Sequence, residues 1–165
     1  LEVRRLAYEH FIDTSSDQGL RGIFVGRGER LRIGQLAGCY TGTLRSPSER
    51  AIKRDTKFEA YSYPVNATHI VDPTDNYGHL PSNTPHEMAL VNEPTGASMP
   101  NLTPLDYEFG LCRDRDGRAG VPYYAAREVR EGEQLTVCYG PYFHREYTTV
   151  CTDHGLLMRW TTLQV

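Results

Sequence analysis

The chain has 165 residues, a length that suits one domain with a core of its own. Hydrophobic residues make up 39% and charged residues 24% of the sequence, so the composition is that of a globular protein in solution. The formal net charge of -3 argues against a surface that wraps nucleic acid, and no apolar run reaches the length of a membrane span. We therefore expect a single domain over residues 1–165, without nucleic-acid or membrane contacts.

The first half of the chain predicts short strands and one helix. An apolar run at residues 23–25 and an alternating stretch at residues 35–40 are typical of strands between turns. Ser46 and Glu49 have the spacing of a capping box, in which each residue satisfies the free amide of the other. We therefore expect a helix to begin after Ser46 and to run over residues 47–58.

The second half predicts strands with little helix. Residues 69–71 form a short apolar strand, and residues 102–111 and 120–126 flank a turn of the kind that joins two antiparallel strands. Residues 134–137 predict a last strand. Because strands and helices do not alternate regularly, a doubly wound nucleotide-binding sheet is disfavoured. The chain as a whole predicts a mainly β fold.

The cysteines do not have the spacing of a zinc site. The sequence contains four of them: Cys39, Cys112, Cys138 and Cys151. None are paired at zinc-ligand spacing, so we predict no bound metal. Two disulfides would match the number of cysteines, but no secretory signal supports an oxidising compartment. We therefore expect reduced thiols and an intracellular protein.

Four segments, taken in order, point to a function. They are residues 19–25 followed by Tyr40-Thr41-Gly42, residues 70–72, residues 89–94 followed by Pro100-Asn101, and residues 123–140. The last contains the most specific run, Gly132-Glu133-Gln134-Leu135-Thr136 followed by Tyr139-Gly140. Together they resemble the SET domain of protein lysine methyltransferases. The resemblance covers about residues 19–142, which is most of the chain.

The resemblance implies a fold and a division of the chain. The fold expected is mainly β with few helices, a SET-type fold of small curved β-sheets with a C-terminal pseudoknot. In that pseudoknot the loop around Asn92 and the segment around Tyr139 cross. The core is expected at about residues 19–142, and residues 143–165 form a tail that closes the site.

The resemblance also implies S-adenosylmethionine as cofactor and a protein lysine as substrate. The expected catalytic residues are Tyr139 and Tyr40. Expected cofactor contacts are Arg21, Gly22, Ile23, Phe24, Asn92, Glu93 and Tyr61. Residues expected along the substrate channel are Tyr107, Val137 and Tyr142. Histone tails are the common target of such enzymes, so a histone tail is the first candidate substrate and the nucleus is the expected location.

These residue types suit methyl transfer to an amine. The nucleophile must be a neutral lysine, whose pKa is about 10.4 in water and falls in an apolar channel. Tyrosine rings pack along an aliphatic stem, and their hydroxyls can orient the amine. Two departures keep other readings open, since Glu93 stands where the family has His and Cys138 where it has Asp. The alternatives are a methyltransferase for non-histone proteins and an inactive SET-like binding module.

Overall fold

The protein is described here by a computed structural model, in which two compact units can be distinguished. Unit 1 comprises residues 1–35, 90–103 and 125–165, and unit 2 comprises residues 36–89 and 104–124. The structure describes residues 2–5, 21–46, 48–49, 61–66, 68–75, 79–80, 87–105, 112–113, 117–140, 143, 145 and 147–152. Across these residues the secondary structure is mainly β, in small antiparallel sheets. The predicted fold class is confirmed.

Unit 1 is built around one strand pair and a long irregular segment. Strand β1 (Glu2–Arg5) pairs antiparallel with strand β2 (Arg21–Phe24). Isolated bridges join Leu31 to Val129 and Phe24 to Gln134, so the chain beyond residue 125 lies beside the chain that follows β2. Buried side chains form the core of the unit: Ile23, Val25, Leu31, Val91, Leu102, Val129, Leu135, Val137 and Cys151.

The strand predicted at residues 134–137 is not a regular strand. Gln134 forms an antiparallel bridge with Phe24, whereas Thr136 forms a parallel bridge with Asn92. The segment therefore changes partner after about one residue, and neither pairing is long enough to make a strand. The apolar residues of its alternating pattern still enter the core, because Leu135 and Val137 are both buried.

Unit 2 contains two small sheets. In the first, strand β9 (Ala119–Ala125) pairs antiparallel with strand β3 (Leu36–Thr41) and with strand β8 (Cys112–Arg113). In the second, strand β6 (His69–Asp72) lies between strand β4 (Thr43–Arg45) and strand β5 (Tyr63–Asn66). Strands β3 and β6 fall on the predictions at residues 35–40 and 69–71.

The predicted pairing of residues 102–111 with residues 120–126 is formed in part. Strand β7 (Leu102–Pro104), at the start of the first stretch, is a neighbour of β9 in the sheet, and β8, at Cys112–Arg113, also pairs with β9. Strand β7 covers only the start of the predicted stretch, and residues 106–111 lie outside the described residues. Strong apolar character marked the stretch correctly, but it did not mark where the strand ends.

The corner between β3 and β4 depends on a residue without a side chain. A Cβ on Gly42 would overlap the backbone of Asp72, so the Tyr-x-Gly pattern has a packing reason here. The Asp72 carboxylate is fully buried and accepts hydrogen bonds from Arg45 Nε at 2.6 Å and from the Thr74 amide at 2.9 Å. Asp72 is thus a structural residue that ties β4 to the end of β6.

Helical structure is short in the described parts of the chain. The capping box forms as predicted, since the Ser46 amide donates to Glu49 Oε2 at 2.7 Å and Ser46 Oγ accepts from the Glu49 amide. The Ser46 amide lowers the pKa of the Glu49 carboxyl. Helical geometry follows at residues 48–49, and residues 50–60 lie outside the described residues. A 3₁₀ helix at Glu87–Leu90 was not predicted. No helix within the described ranges is long and apolar enough to cross a membrane.

The expectation of reduced thiols is wrong for this structure. Cys39 is bonded to Cys112 within unit 2, and Cys138 is bonded to Cys151 within unit 1. The Cα atoms are 6.0 Å and 5.3 Å apart, which suits disulfides. The sequence spacing could not reveal either pair, because 73 residues separate the first two cysteines. The intracellular, nuclear location stays a prediction.

Candidate active site

The segment 132–139 is held between two other segments of unit 1. On one side, the Leu135 amide donates at 2.7 Å to the carbonyl of Ile23, one of the predicted cofactor contacts in β2. On the other side, the Val137 amide donates to the Asn92 carbonyl at 3.0 Å. The buried Asn101 side chain adds two bonds, because its amide donates to the Gln134 carbonyl and its oxygen accepts from the Thr136 amide. The last predicted motif therefore lies against both the first and the third.

Tyr139 is fixed at both ends by three consecutive residues of the loop. Its hydroxyl donates to the Val91 carbonyl at 2.8 Å, and its backbone amide donates to Glu93 Oε1 at 2.7 Å. The bond from Val137 to Asn92 lies between these two. The Phe143 ring packs edge-on against the Tyr139 ring, with centroids 4.7 Å apart. The tyrosine predicted to be catalytic is thus held in one orientation.

Glu93 is buried among donors that belong to the protein itself. Its side chain has no exposed surface, and its carboxylate forms an ion pair with Arg145, whose side chain is 5% exposed. Arg145 donates through both Nε and Nη2, and the Tyr147 hydroxyl donates to Oε2 at 3.1 Å. With the Tyr139 amide, four donors surround the two carboxylate oxygens. This arrangement gives Glu93 a structural task, and the cofactor contact expected from the sequence stays a prediction.

The charges of this cluster alter the titration of its members. The hydrogen bond to Glu93 raises the pKa of Arg145, so the guanidinium stays charged. Burial, with the negative charge of Glu93, raises the pKa of Tyr147 above its usual range. Tyr147 is therefore neutral and able to donate a hydrogen bond at any pH near neutrality.

Gly22, a predicted cofactor contact in β2, packs closely against two side-chain amides. A Cβ on Gly22 would lie 2.7 Å from Gln134 Nε2 and 3.2 Å from Asn92 Nδ2, so two amide groups face the backbone there. Nε2 of Gln134 is buried without a hydrogen-bond partner in the part of the chain that the structure describes. A buried donor without an acceptor is costly, and a ligand with acceptor atoms would satisfy it. These residues fit the carboxylate, hydroxyl and ring-nitrogen acceptors of S-adenosylmethionine.

Unit 2 holds a separate group of tyrosines around Tyr40. The Tyr40 ring lies 5.8 Å from that of Tyr63 and 5.9 Å from that of Tyr123, measured between centroids. The Tyr40 hydroxyl donates to the carbonyl oxygen of Tyr61. Tyr40 and Tyr61, both predicted site residues, are therefore joined by a hydrogen bond, and the rings of Tyr40, Tyr63 and Tyr123 form one aromatic cluster within this unit.

The remaining predicted residues are placed as follows. Ile23 and Val137 are buried in the core of unit 1, and Phe24 is half-buried at the end of β2. Arg21 is the first residue of β2. Two predicted channel residues, Tyr107 and Tyr142, lie outside the described residues.

Sequence reasoning missed two residues of this site, Arg145 and Gln134. Arg145 lies in the predicted tail at residues 143–165. Gln134 was read as part of a motif and not as a ligand contact. A positively charged residue close to Glu93 in the sequence would have pointed to an ion pair, but 52 residues separate Glu93 from Arg145.

One cluster has the composition of a metal site. The ligand atoms of Glu93, Cys138 and Cys151 lie within 4.8 Å of one another. The carboxylate is already paired with Arg145 and the sulfurs are bonded to each other, so none of the three offers an unused ligand atom. The cluster therefore joins two residues of the tail, Arg145 and Cys151, to Glu93 and Cys138.

Comparison with known proteins reveals the fold. No protein-family model matches the sequence, and no curated protein matches it. Among solved structures, CpSET8 from Cryptosporidium matches with a TM-score of 0.52 and 18% sequence identity. The match covers 84% of this chain but only 56% of that one, so the chain spans just over half the length of this relative. The fold is of the SET type.

The SET-type fold agrees with the strand content and with the pairings in unit 1. The loop of Asn92 and the segment of Tyr139 are joined, as the resemblance implies for the crossing segments. The comparison thus shows a SET-type fold, whereas activity, substrate and cofactor are matters of proposal.

Proposed function

We propose that the protein is a protein-lysine N-methyltransferase that uses S-adenosylmethionine. The observation that carries the proposal is the anchoring of Tyr139 in a SET-type fold, with its hydroxyl bonded to Val91 and its amide bonded to Glu93. A tyrosine that only packed against its neighbours would not need both its hydroxyl and its amide to be held by residues 91–93. The buried amide of Gln134, which has no hydrogen-bond partner among the described residues and lies next to Gly22 of β2, supplies the second support.

The chemistry asks for alignment rather than for an acid or a nucleophile. When bound, S-adenosylmethionine supplies a methyl group activated by a sulfonium. Gly22, Phe24, Asn92 and Gln134 are the residues we propose to hold it. Alignment of two reacting groups can lower a barrier by about 7–11 kcal/mol, and the Tyr139 hydroxyl orients the amine. No carboxylate pair or catalytic triad is needed.

The substrate is proposed to be a lysine side chain of a protein. Tyrosine rings pack along an aliphatic lysine stem and favour a cation, and Tyr40, a predicted catalytic residue, lies in a cluster of such rings within unit 2. An apolar channel also disfavours the charged ammonium, which helps the amine to lose its proton. A histone tail is the first candidate and a non-histone protein the second.

The rival reading is an inactive module that binds a partner through a SET-type fold. The loss of His and Asp at the positions of Glu93 and Cys138 favours it. Against it, the structure keeps Tyr139 in a fixed orientation, which binding alone would not require. The two readings differ in whether the fold binds the cofactor.

Cofactor binding separates these readings. At a concentration of about 100 times its dissociation constant, S-adenosylmethionine should stabilise the folded protein by about 2.7 kcal/mol. Calorimetry should detect binding of the demethylated product as well. Gly22→Val, whose side chain would displace the amides of Gln134 and Asn92, serves as the matched variant and should bind neither. Equal unfolding with and without both compounds, and no heat, would exclude the enzyme.

A further inference from the structure

We infer that Glu93, Arg145 and Tyr147 form a buried clasp that positions Tyr139 for the proposed reaction. They are positioning residues, because they act through Tyr139 and not on the reacting atoms. The inference rests on the proposed function for its catalytic consequence, but the clasp itself is a property of unit 1.

The clasp is complete without any outside partner. The Glu93 side chain is fully buried, and its carboxylate accepts from the Tyr139 amide, from two nitrogens of Arg145 and from the Tyr147 hydroxyl. Buried charges of this kind are costly to leave unpaired. A solvent-facing or ligand-binding glutamate would keep at least one oxygen open, and Glu93 keeps none.

Arg145 extends the clasp to the backbone that follows the tyrosine. Its Nη2 donates to the Gly140 carbonyl at 2.6 Å, and its Nη1 donates to the Phe143 carbonyl at 2.7 Å. The guanidinium also lies over the Phe143 ring, 5.4 Å from its centroid. The planar fork of Arg makes all these contacts at once, which an ammonium cannot do.

The arrangement couples the tail to the orientation of Tyr139. The residue is bonded to the loop through its hydroxyl at Val91 and through its amide at Glu93, so a shift of Glu93 moves one of the two fixed points. Arg145, in the tail, donates to the same carboxylate, so its position also affects this fixed point. Because a displacement of about 1 Å at a reacting centre can cost about 10²-fold in rate, this coupling is large enough to matter for turnover.

The test compares three conservative variants with a control. Arg145→Lys keeps the charge but cannot make the forked contacts. Glu93→Gln keeps an acceptor for the Tyr139 amide but removes the charge. Tyr147→Phe removes one donor and leaves the ion pair, so it remains informative if the others fold poorly. Arg127→Gln, which breaks an exposed ion pair of the same unit, is the matched control.

Two readouts distinguish positioning from stability. The first is turnover against cofactor affinity, measured alone and in a Tyr139→Phe background. We expect Arg145→Lys to lose about 10²-fold in kcat with cofactor affinity within about threefold, and to lose nothing further when Tyr139 is already Phe. We expect a smaller loss of the same kind for Tyr147→Phe, and parent behaviour for Arg127→Gln.

The second readout needs no activity. Hydrogen exchange at the Tyr139 amide should quicken in Glu93→Gln and Arg145→Lys, whereas the Leu135 amide, bonded to Ile23, should exchange as in the parent. If the parent transfers no methyl group but the exchange behaves so, the proposed function fails and the clasp stands. If the parent is active, parent-like kcat in all three variants overturns the inference, as does an equal loss with and without the Tyr139 hydroxyl. Unchanged exchange at the Tyr139 amide in Glu93→Gln and Arg145→Lys also overturns it.

Discussion

The two disulfides should stabilise their units by different amounts. The cross-link between Cys138 and Cys151 closes a loop of 13 residues, and that between Cys39 and Cys112 closes one of 73 residues. On the chain-entropy treatment, loops of these lengths correspond to about 2.9 and about 4.4 kcal/mol of stabilisation. Replacing each pair by serines should therefore cost more for the long loop than for the short one.

The assay is urea unfolding of the parent and of the two double-serine variants, with reduction by a phosphine as a third arm. Titration of thiols in the denatured, unreduced parent should find none, and after reduction it should find four, since the structure has no free cysteine among the described residues. Four thiols before reduction, or serine variants as stable as the parent, would refute the disulfides and restore the reduced protein expected from the sequence.

Three further predictions concern single residues. Tyr139→Phe should fold, cost about 1 kcal/mol for one lost hydrogen bond and lose about 10²–10³ in turnover, and parent-like turnover would contradict the role of the hydroxyl. Gly22→Ala should weaken cofactor binding by about tenfold, since its Cβ would press on the Gln134 amide; calorimetry checks this. Arg127, chiefly through its hydrogen bond, lowers the pKa of Glu133 below its ordinary 4.5, so the stability from this pair is present above that pH and lost below it. On acidification, Glu133→Gln should therefore lose less of its free energy of unfolding than the parent. The difference should be no more than about 1 kcal/mol, because the pair is partly exposed.

A rise in pH should also destabilise the clasp. Burial raises the pKa of Tyr147 above the ordinary value of 10.0, so its contribution is present in full below that pH and is lost as pH rises through the folded-state value. Tyr147→Phe should be less sensitive to alkali than the parent above pH 10. Identical alkaline unfolding curves for the two proteins would show that the hydroxyl is not held as described.

The fold class was predictable because its signals are local. The capping box at Ser46 and Glu49 depends on four neighbouring residues, and the structure forms both of its hydrogen bonds. Apolar alternation marked β3 and β6 for the same reason. The segment 134–137 shows the limit of such signals, since its buried pattern was correct and its strand was not. Whether a backbone pairs for one residue or for five is decided by its partners.

The place of Tyr139 beside the Asn92 loop could be predicted from the sequence, and the surroundings of Glu93 could not. The motif that ends in Tyr139 is continuous in sequence, so its place could be inferred from resemblance. Glu93 replaces the expected His, and the resemblance implied a cofactor contact for it. Its partner Arg145 is 52 residues away, and no periodicity links the two. The disulfides could not be predicted for the same reason, because they join cysteines that are close in space but not in sequence.

Transfer of a methyl group to lysine tests the central claim most directly. The protein should be incubated with isotopically labelled S-adenosylmethionine and with core histones, and in parallel with a panel of non-histone proteins. Mass spectrometry of the digested products should find the label on lysine side chains with the parent and a loss of about 10²–10³ in rate with Tyr139→Phe. No labelled lysine in any substrate, from protein that is folded and binds the cofactor, would contradict the account.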